Sequence, residues 1–269
     1  MTSFDRMLTV LRLFSVERPL WTVDEAMAVL GGSRSTTYRY FRSLTETGLL
    51  DMIAGRAYTL GPNIIELDRL IRLCDPLLTA VPAAIAANPL GPGQHLVVHR
   101  LFRDRVVCVY VTSEDPSYQF FYARGERVPL FTESTSLVML AHLPWRRLKD
   151  LYRDHLDEAL DSGIGGSWDE FRSALTAIRR IGHAETRHAE IGQPARIRVS
   201  APIFDGDGAI LAGVSQSFSE NAEPARKVAV IAQIKAVAHH ATDLLARSVA
   251  RSPITDLDRS ELRRTGSGG

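Results

Sequence analysis

The chain has 269 residues, and its 32 lysines and arginines almost balance its 31 aspartates and glutamates, so the formal net charge is +1. A hydrophobic fraction of 45% excludes a wholly disordered chain, and the length suggests about two domains. The charge balance excludes a polybasic protein that binds by bulk charge, but a local basic face is enough to bind nucleic acid.

The cysteine content and the hydropathy of the sequence exclude further classes of protein. Cys74 and Cys108 are the only cysteines, too few for a disulfide scaffold or a structural zinc site built on cysteines. No apolar run approaches the roughly 18–20 residues that span a bilayer, and the N-terminus lacks the pattern of a signal peptide. We therefore expect a cytoplasmic protein with no membrane partner, no metal and no cofactor.

The first sixty residues predict three helices followed by a β-ribbon. Apolar residues recur at helical spacing over 4–16. Residues 22–25 fit a capping box before a second helix, and Ser33 is placed to cap a third helix that ends near Thr47. Two short strands over 49–60, joined by a glycine-containing turn, complete this region.

A connecting helix and a mixed α/β region follow. Pro62 is a good first helical residue, and the apolar residues of the helix over 62–75 cover more than one narrow stripe, so we expect it to pack on a partner such as a second subunit. Beyond it we predict strands at 96–99, 106–112, 120–123, 196–204 and 210–218, and helices at 77–87, 134–142, 146–161, 168–181 and 228–249.

The predicted helix of residues 33–44 carries three arginines and no acid. An α-helix fits the major groove of B-DNA, and arginine suits bidentate contact with guanine. A solvated helix face with a few arginines is common, but the order of the surrounding elements favours DNA binding. The predicted DNA-binding residues are Arg34, Ser35, Thr36, Tyr38, Arg39 and Arg42, with Arg56 at the tip of the ribbon.

We expect the guanidinium groups of Arg34, Arg39 and Arg42 to project together from one helix without being sequestered by neighbouring carboxylates. The same helix carries a family motif. Its sequence, Ser-Arg-Ser-Thr-Thr-Tyr-Arg-Tyr-Phe-Arg-Ser-Leu, is similar to Pro-Lys-Ser-Thr-Val-His-Arg-Leu-Leu-x-Thr-Leu, and the ribbon ends in Tyr-x-Leu-Gly. Residues 6–61 thereby resemble the winged helix-turn-helix of the IclR (isocitrate-lyase-regulator) family of bacterial transcription factors.

The resemblance implies sequence-specific binding of double-stranded operator DNA. It continues more weakly to about residue 247, where Gly-x-x-x-Pro-Leu begins at Gly125 and Ser-Ala-Pro-Ile-Phe begins at Ser200. It implies an α+β fold, in which a winged helix-turn-helix at 1–61 and a linker helix at 62–75 precede a GAF-like effector-binding and oligomerisation domain at 76–248. The tail at 249–269 is rich in charged and small residues and is expected to be disordered. The family is generally dimeric or tetrameric, which implies a homodimer or homotetramer.

By position, the resemblance also implies an effector pocket. Ser136, Leu137 and Arg198 replace the glycine, lysine and cysteine that are usual in the family, so we expect an effector different from those of its best-known members. The resemblance places Glu190 near the pocket entrance. The predicted pocket residues are Ser134, Thr135, His188, Arg198, Ser215 and Ser217.

Two interpretations of Arg198 stay open. If it faces the pocket, its planar fork suits a carboxylate. Alternatively it is an exposed strand residue on the same face as Arg196. His183 and His188 do not have the spacing of the helical zinc motif, and neither a nucleophile elbow nor a P-loop is present, so we expect no catalysis.

The sequence therefore predicts a ligand-responsive transcription regulator, a repressor of a catabolic operon that senses a small carboxylate-bearing metabolite. Two alternatives remain. One is a small-molecule-binding enzyme with a helical accessory domain, and the other is a dimeric interaction module without a ligand.

Overall fold

The structure is a computed structural model that describes residues 2–116, 122–188 and 195–250, without the side chains of residues 249 and 250. The chain divides between Asp75 and Pro76 into two compact units. Within the described ranges no single helix is long and apolar enough to cross a membrane. The consecutive helices at 63–74 and 76–87 pass that test only when taken as a pair.

The N-terminal unit is a group of short helices and an antiparallel two-stranded ribbon. Its elements are α1 (Ser3–Thr9), α2 (Val23–Leu30), α3 (Arg34–Glu46), β1 (Leu50–Met52), β2 (Tyr58–Leu60) and α4 (Asn63–Cys74). The predicted capping box is confirmed, since the Thr22 side chain accepts from the amide of Glu25 and the Glu25 side chain accepts from the amide of Thr22. The predicted cap at Ser33 is confirmed as well, since its side chain accepts from the amide of Thr36. The small core contains Val10, Trp21, Ala26, Phe41, Leu44, Leu50 and Tyr58.

The first helix is shorter than the predicted 4–16. α1 ends at Thr9 and is followed by a 3-10 turn over Val10–Arg12. The indole of Trp21 donates to the carbonyl of Leu13 at 2.9 Å, so this carbonyl has a partner outside a helix. Tertiary packing therefore ends the helix before its apolar pattern does.

The end of the ribbon depends on two glycines. Gly48 has a φ of +69° after α3, a conformation that favours glycine. A Cβ on Gly61 would lie 2.2 Å from the carbonyl oxygen of Gly48. The close approach of the two backbones gives the final glycine of the Tyr-x-Leu-Gly motif a steric reason.

The C-terminal unit is α+β, as predicted, and is built on one six-stranded antiparallel sheet. Its strands are β3 (His95–Phe102), β4 (Arg105–Ser113), β5 (Arg127–Val128), β6 (Ala184–His188), β7 (Arg196–Phe204) and β8 (Ile210–Ser219). Their order in the sheet is β5-β4-β3-β8-β7-β6. The chain returns through β7 and β8 to pair with β3, so the sheet brings residues from both halves of this unit together.

Helices cover both faces of the sheet. They are α5 (Pro76–Ala87), α6 (Ser134–Leu140), α7 (Trp145–Asp154), α8 (Leu156–Asp161), α9 (Trp168–Ile181) and α10 (Pro224–Ala250). α5 and α10 pack on one face against side chains such as Val98, Val199 and Val214. α6 covers the other face, and Phe171 of α9 belongs to the same apolar cluster.

Two predictions for this unit are wrong in detail, and the strands β5 and β6 are not among the predicted elements. The helix predicted over 146–161 is two helices, because the backbone of His155 leaves the helical region at φ −128° and ψ 41°. Of the strand predicted over 120–123, residues 120 and 121 lie outside the described residues, and 122 and 123 are not in a strand. The short β5 was not predicted, since its two residues form no periodic pattern.

Candidate functional site

α3 presents most of the predicted DNA-binding residues on its exposed side. Thr37, Phe41 and Leu44 are buried and attach the helix to the core. At about 100° per residue, the three arginines span about 140° of the helix surface, with Arg42 between Arg34 and Arg39. Ser35 and Thr36 lie in the first turn, where their hydroxyls are each 3.0 Å from the hydroxyl of the Ser33 cap.

The expectation that these arginines are free of carboxylates is wrong for two of the three. Arg34 Nε lies 2.6 Å from Asp24 Oδ1, and Arg42 Nε lies 2.7 Å from Glu46 Oε1. Both acids lie outside the acid-free run of residues 33–44, so the run alone did not reveal them. Arg39 is exposed and makes no ion pair within the described part of the chain.

The two ion pairs are open to solvent. The side chains of Arg34 and Arg42 are each 68% exposed, and the carboxylates raise the pKa of both guanidinium groups through hydrogen bonds and charge. Exposed ion pairs are weak and screened by salt, so a phosphate or a base edge can replace either carboxylate.

The ribbon brings Arg56 to the same surface. A cleft of about 910 Å³ lies between α3 and the ribbon, and Arg34, Ser35, Tyr38 and Arg56 are among its lining residues. Arg56 has a φ of +61°, an uncommon conformation for a residue with a Cβ. Thr36, Arg39 and Arg42 do not line this cleft. The predicted residues thus form a cleft and an adjacent helix face.

In the C-terminal unit, the register of the sheet places several polar residues on the face that α6 covers. Ser217 is opposite Arg198, and Ser215 is opposite both Ser200 and Val97. Directly opposed residues of an antiparallel pair share a face, and residues two apart along a strand do so too. Arg196 therefore belongs to the same face as Arg198.

Glu133, which precedes α6, is the centre of this polar cluster. Its carboxylate is only 4% exposed and lies 2.5 Å from Arg198 Nη1. Tyr122 donates to its other oxygen at 2.9 Å, and His188 Nε2 lies 3.4 Å away. Burial, followed by the charge of Glu133, raises the pKa of Tyr122. Two of the predicted pocket residues, His188 and Arg198, are thus joined by an acid that sequence reasoning missed.

The alternative in which Arg198 is an exposed strand residue is wrong, because its side chain is only 11% exposed. The interpretation of its guanidinium as an open fork also needs correction, since Glu133 occupies one side of it. No pattern in the sequence indicates this pair, whose members lie 65 positions apart.

A second polar group surrounds Ser217. Its hydroxyl lies 2.8 Å from His95 Nε2 and accepts from Arg196 Nε at 3.3 Å. Arg196 is half-buried, and within the described ranges no carboxylate forms an ion pair with it. Burial, and then the charges of the two arginines, lower the pKa of His95 to about 4. Arg196 is therefore the charged group best placed to meet an anion.

The remaining predicted pocket residues lie deeper. Ser134 and Ser200 share a hydrogen bond of 2.6 Å, and Ser215 donates to the carbonyl of Val97 at 3.3 Å. Thr135 is buried. Sequence reasoning also missed His95 and His99, although a histidine in an apolar strand pattern is a usable signal. No group of histidines, cysteines or acids suited to a metal occurs in the described part, and Glu190 lies outside it.

Comparison with known proteins identifies a domain within the N-terminal unit. Residues 3–51 match the IclR helix-turn-helix domain. The HTH-type transcriptional regulator KipR of Bacillus subtilis (strain 168) is 23% identical over 210 residues, which cover 77% of this chain and 82% of KipR. The match therefore covers most of the length of this transcriptional regulator.

Solved structures share the fold. The structure of an IclR transcriptional regulator from Silicibacter sp. TM1040 has a TM-score of 0.75 at 19% identity and covers 91% of this chain and 96% of that chain. An IclR homologue from Microbacterium hydrocarbonoxydans, complexed with 4-hydroxybenzoate, has a TM-score of 0.63 at 17% identity and covers 91% of this chain and 99% of that chain. This chain therefore contains an IclR helix-turn-helix domain at residues 3–51, and it shares the fold of solved IclR-type structures.

Proposed function

We propose that this chain is a repressor that binds operator DNA through α3 and the ribbon and that responds to a small carboxylate-bearing metabolite of a catabolic pathway. The observation that carries the proposal is the exposed cationic side of α3, continuous with the cleft lined by Arg34, Tyr38 and Arg56. A helix of this kind fits the major groove, and the ribbon is placed to contact the adjacent backbone.

The proposed division of labour assigns residues 1–61 to DNA binding, 62–75 to a linking helix, 76–248 to effector binding and oligomerisation, and 249–269 to a tail. α4 has no buried residue and exposes Ile65 and Leu73 at 73% and 61%. A helix with this much exposed apolar surface is typical of an interface. We therefore expect a second copy of the chain to cover α4, so that two α3 helices meet the half-sites of a palindrome.

The proposed effector site is the sheet face that carries Arg196, Arg198, Ser215 and Ser217, here called the polar sheet face. Among the described residues, two guanidinium groups, one carboxylate and the neutral imidazoles of His95 and His99 give this face a net positive charge, which suits a carboxylate. The site would consist of Ser134, Thr135, His188, Arg198, Ser215 and Ser217, extended by Arg196. An IclR homologue of similar fold is complexed with a carboxylate, 4-hydroxybenzoate.

Effector binding can alter operator affinity only if the effector prefers one of two arrangements of the protein. In the proposed repressor, the arrangement that binds the effector binds the operator less tightly. The relatives found are transcriptional regulators, so we do not favour the enzyme.

The test is a titration of the DNA upstream of the protein's own gene with wild-type protein and with Arg39→Ala. We expect Arg39→Ala to weaken binding by about 1–3 kcal/mol, as expected for loss of a base contact. Arg153→Ala removes an exposed arginine of the C-terminal unit and should bind like wild type. Equal binding by Arg39→Ala would refute the assignment of α3, and a stoichiometry of one chain per site would refute the dimer.

A further inference from the structure

His99 and Thr135 are two buried polar residues that the hydrogen bonds of the fold do not explain. Both are fully buried. In the part of the chain that the structure describes, the two ring nitrogens of His99 have no hydrogen-bond partner. The hydroxyl of Thr135 has none either. Because a buried polar group without a partner destabilises the folded state, it is seldom retained without a use.

His99 and the backbone of Thr135 both lie beside Gly213 on the polar sheet face. His99 is directly opposite Gly213 in the pairing of β3 with β8. A Cβ on Gly213 would lie 3.1 Å from the carbonyl oxygen of Thr135 and 3.4 Å from its Cα. Gly213 thus lets the first turn of α6 approach the sheet beside His99, where the side chain of Val138 also packs.

The chemistry of the pair fits a hydroxyl group. A neutral imidazole offers one donor and one acceptor, and a threonine hydroxyl both donates and accepts. Burial, and then the charge of Arg198, lower the pKa of His99 to about 3, so the ring is neutral and does not attract a carboxylate by charge. A ligand hydroxyl can donate to one of the two residues and accept from the other.

An anionic group has a different place on the same face. Arg196 meets Ser217, and Ser217 lies four positions from Gly213 along β8. At roughly 3.3 Å per residue, the two levels are about 13 Å apart along the strand. A ligand that contacts both ends must therefore separate its carboxylate from its hydroxyl by a ring or by several carbon atoms.

We propose that His99 and Thr135 bind the hydroxyl group of the effector, and that the effector is a hydroxy monocarboxylate whose two groups stand at opposite ends of a ring or of a medium-length chain. This inference rests on the proposed function for the existence of an effector, and it adds the effector's chemical class and two residues that select it. Arg196 binds the carboxylate end.

The experiment compares matched pairs of acids by thermal shift on the full chain. The probes are 4-hydroxybenzoate against benzoate, and 6-hydroxyhexanoate against hexanoate. We expect a hydroxy acid of at least one pair to raise Tm by several degrees at saturation, and its deoxy partner to raise it less. In His99→Leu the difference within the pair should disappear. If neither hydroxy acid exceeds its partner, or if the difference survives in His99→Leu, the proposal is overturned.

A measurement without any ligand keeps the proposal independent of the choice of probe. Removing an unpartnered polar group should raise Tm in His99→Leu, by about 2–4 °C for a unit of this size. The matched control is His142→Leu, which loses the 2.8 Å contact of His142 with the carbonyl of Val138 and should lower Tm. If His99→Leu is destabilised like His142→Leu, then His99 has a structural partner such as a water molecule, and the proposal fails.

Operator binding separates this inference from the proposed function. His99→Leu should bind operator DNA like wild type when no ligand is present. If operator binding is intact but the hydroxyl preference is absent, only the present inference fails. If wild-type protein shows no preference for operator DNA, the proposed function itself fails.

Discussion

The two units each contain an arginine paired with a carboxylate, but the surroundings of the pairs differ. Arg34 and Asp24 are 2.6 Å apart with side chains 68% and 61% exposed. Arg198 and Glu133 are 2.5 Å apart with side chains 11% and 4% exposed. The two ion pairs therefore have nearly the same contact distance but very different access to water.

The difference teaches which charges are available for binding. Water screens the pair on α3, and its guanidinium can exchange a carboxylate for a phosphate at little cost. The pair in the C-terminal unit is desolvated, so each charge depends on the other. We infer that α3 supplies exchangeable charge to a polyanion, whereas the buried pair fixes the shape of the sheet face.

The largest expected effect comes from breaking the buried pair. Glu133→Gln removes the carboxylate that pairs with the buried guanidinium of Arg198, and we expect a loss of about 3–5 kcal/mol in the free energy of unfolding of the C-terminal unit. Urea denaturation measures it. The control, Glu46→Gln, removes the carboxylate of an exposed pair on α3 and should change stability little. A similar loss for both variants would contradict the comparison.

Acid should weaken the C-terminal unit next. The folded pKa values of His95 and His99, about 4 and about 3, lie below the ordinary value of 6.5. Below about pH 6.5 the unfolded chain therefore binds more protons than the folded one. The free energy of unfolding then decreases as the pH is lowered. The slope is at most about 1.4 kcal/mol per pH unit for each histidine.

The measurement is urea unfolding between about pH 7 and pH 5, where these two histidines are expected to contribute. His99→Leu removes one of the two groups and should show a shallower dependence on pH. If the variant and the wild type lose stability in parallel, His99 does not stay neutral in the folded state.

The smallest effect should come from releasing an exposed arginine. In Asp24→Asn, Arg34 keeps its charge and loses its competing carboxylate, so non-specific DNA affinity should rise, by about two- to fivefold at low salt. Fluorescence anisotropy with a shuffled duplex measures the rise, and Glu158→Gln, on α8 of the C-terminal unit, is the control. No change, or a decrease, would show that Asp24 positions Arg34 for DNA.

The sequence was sufficient to predict those parts of the structure that depend on residues close together in the chain. The cap at Ser33 and the breaks at glycines depend on nearby positions, and the helices of the N-terminal unit and their order were predicted. It was insufficient where contacts join distant positions. Arg34 meets an acid on another helix, and Glu133 meets Arg198 only because β7 folds back against the start of α6.

The candidate site divides in the same way. Motif positions indicated which residues share the sheet face, because the alternation along β7 and β8 fixes their side. The hydrogen bonds of those residues depend on how α6 packs, which no local pattern encodes. For this reason the pocket-facing position of Arg198 was one of two interpretations left open by the sequence, whereas its pairing with Glu133 was not predicted.

One measurement tests the central claim most directly, which is that α3 docks on specific duplex DNA. The affinity of the full chain for the DNA upstream of its own gene is compared with that for a shuffled duplex of the same composition, at salt concentrations from roughly 50 to 200 mM. We predict tighter binding to the natural sequence and a steep fall of affinity with salt. Equal affinity for the two duplexes across this range would contradict the account.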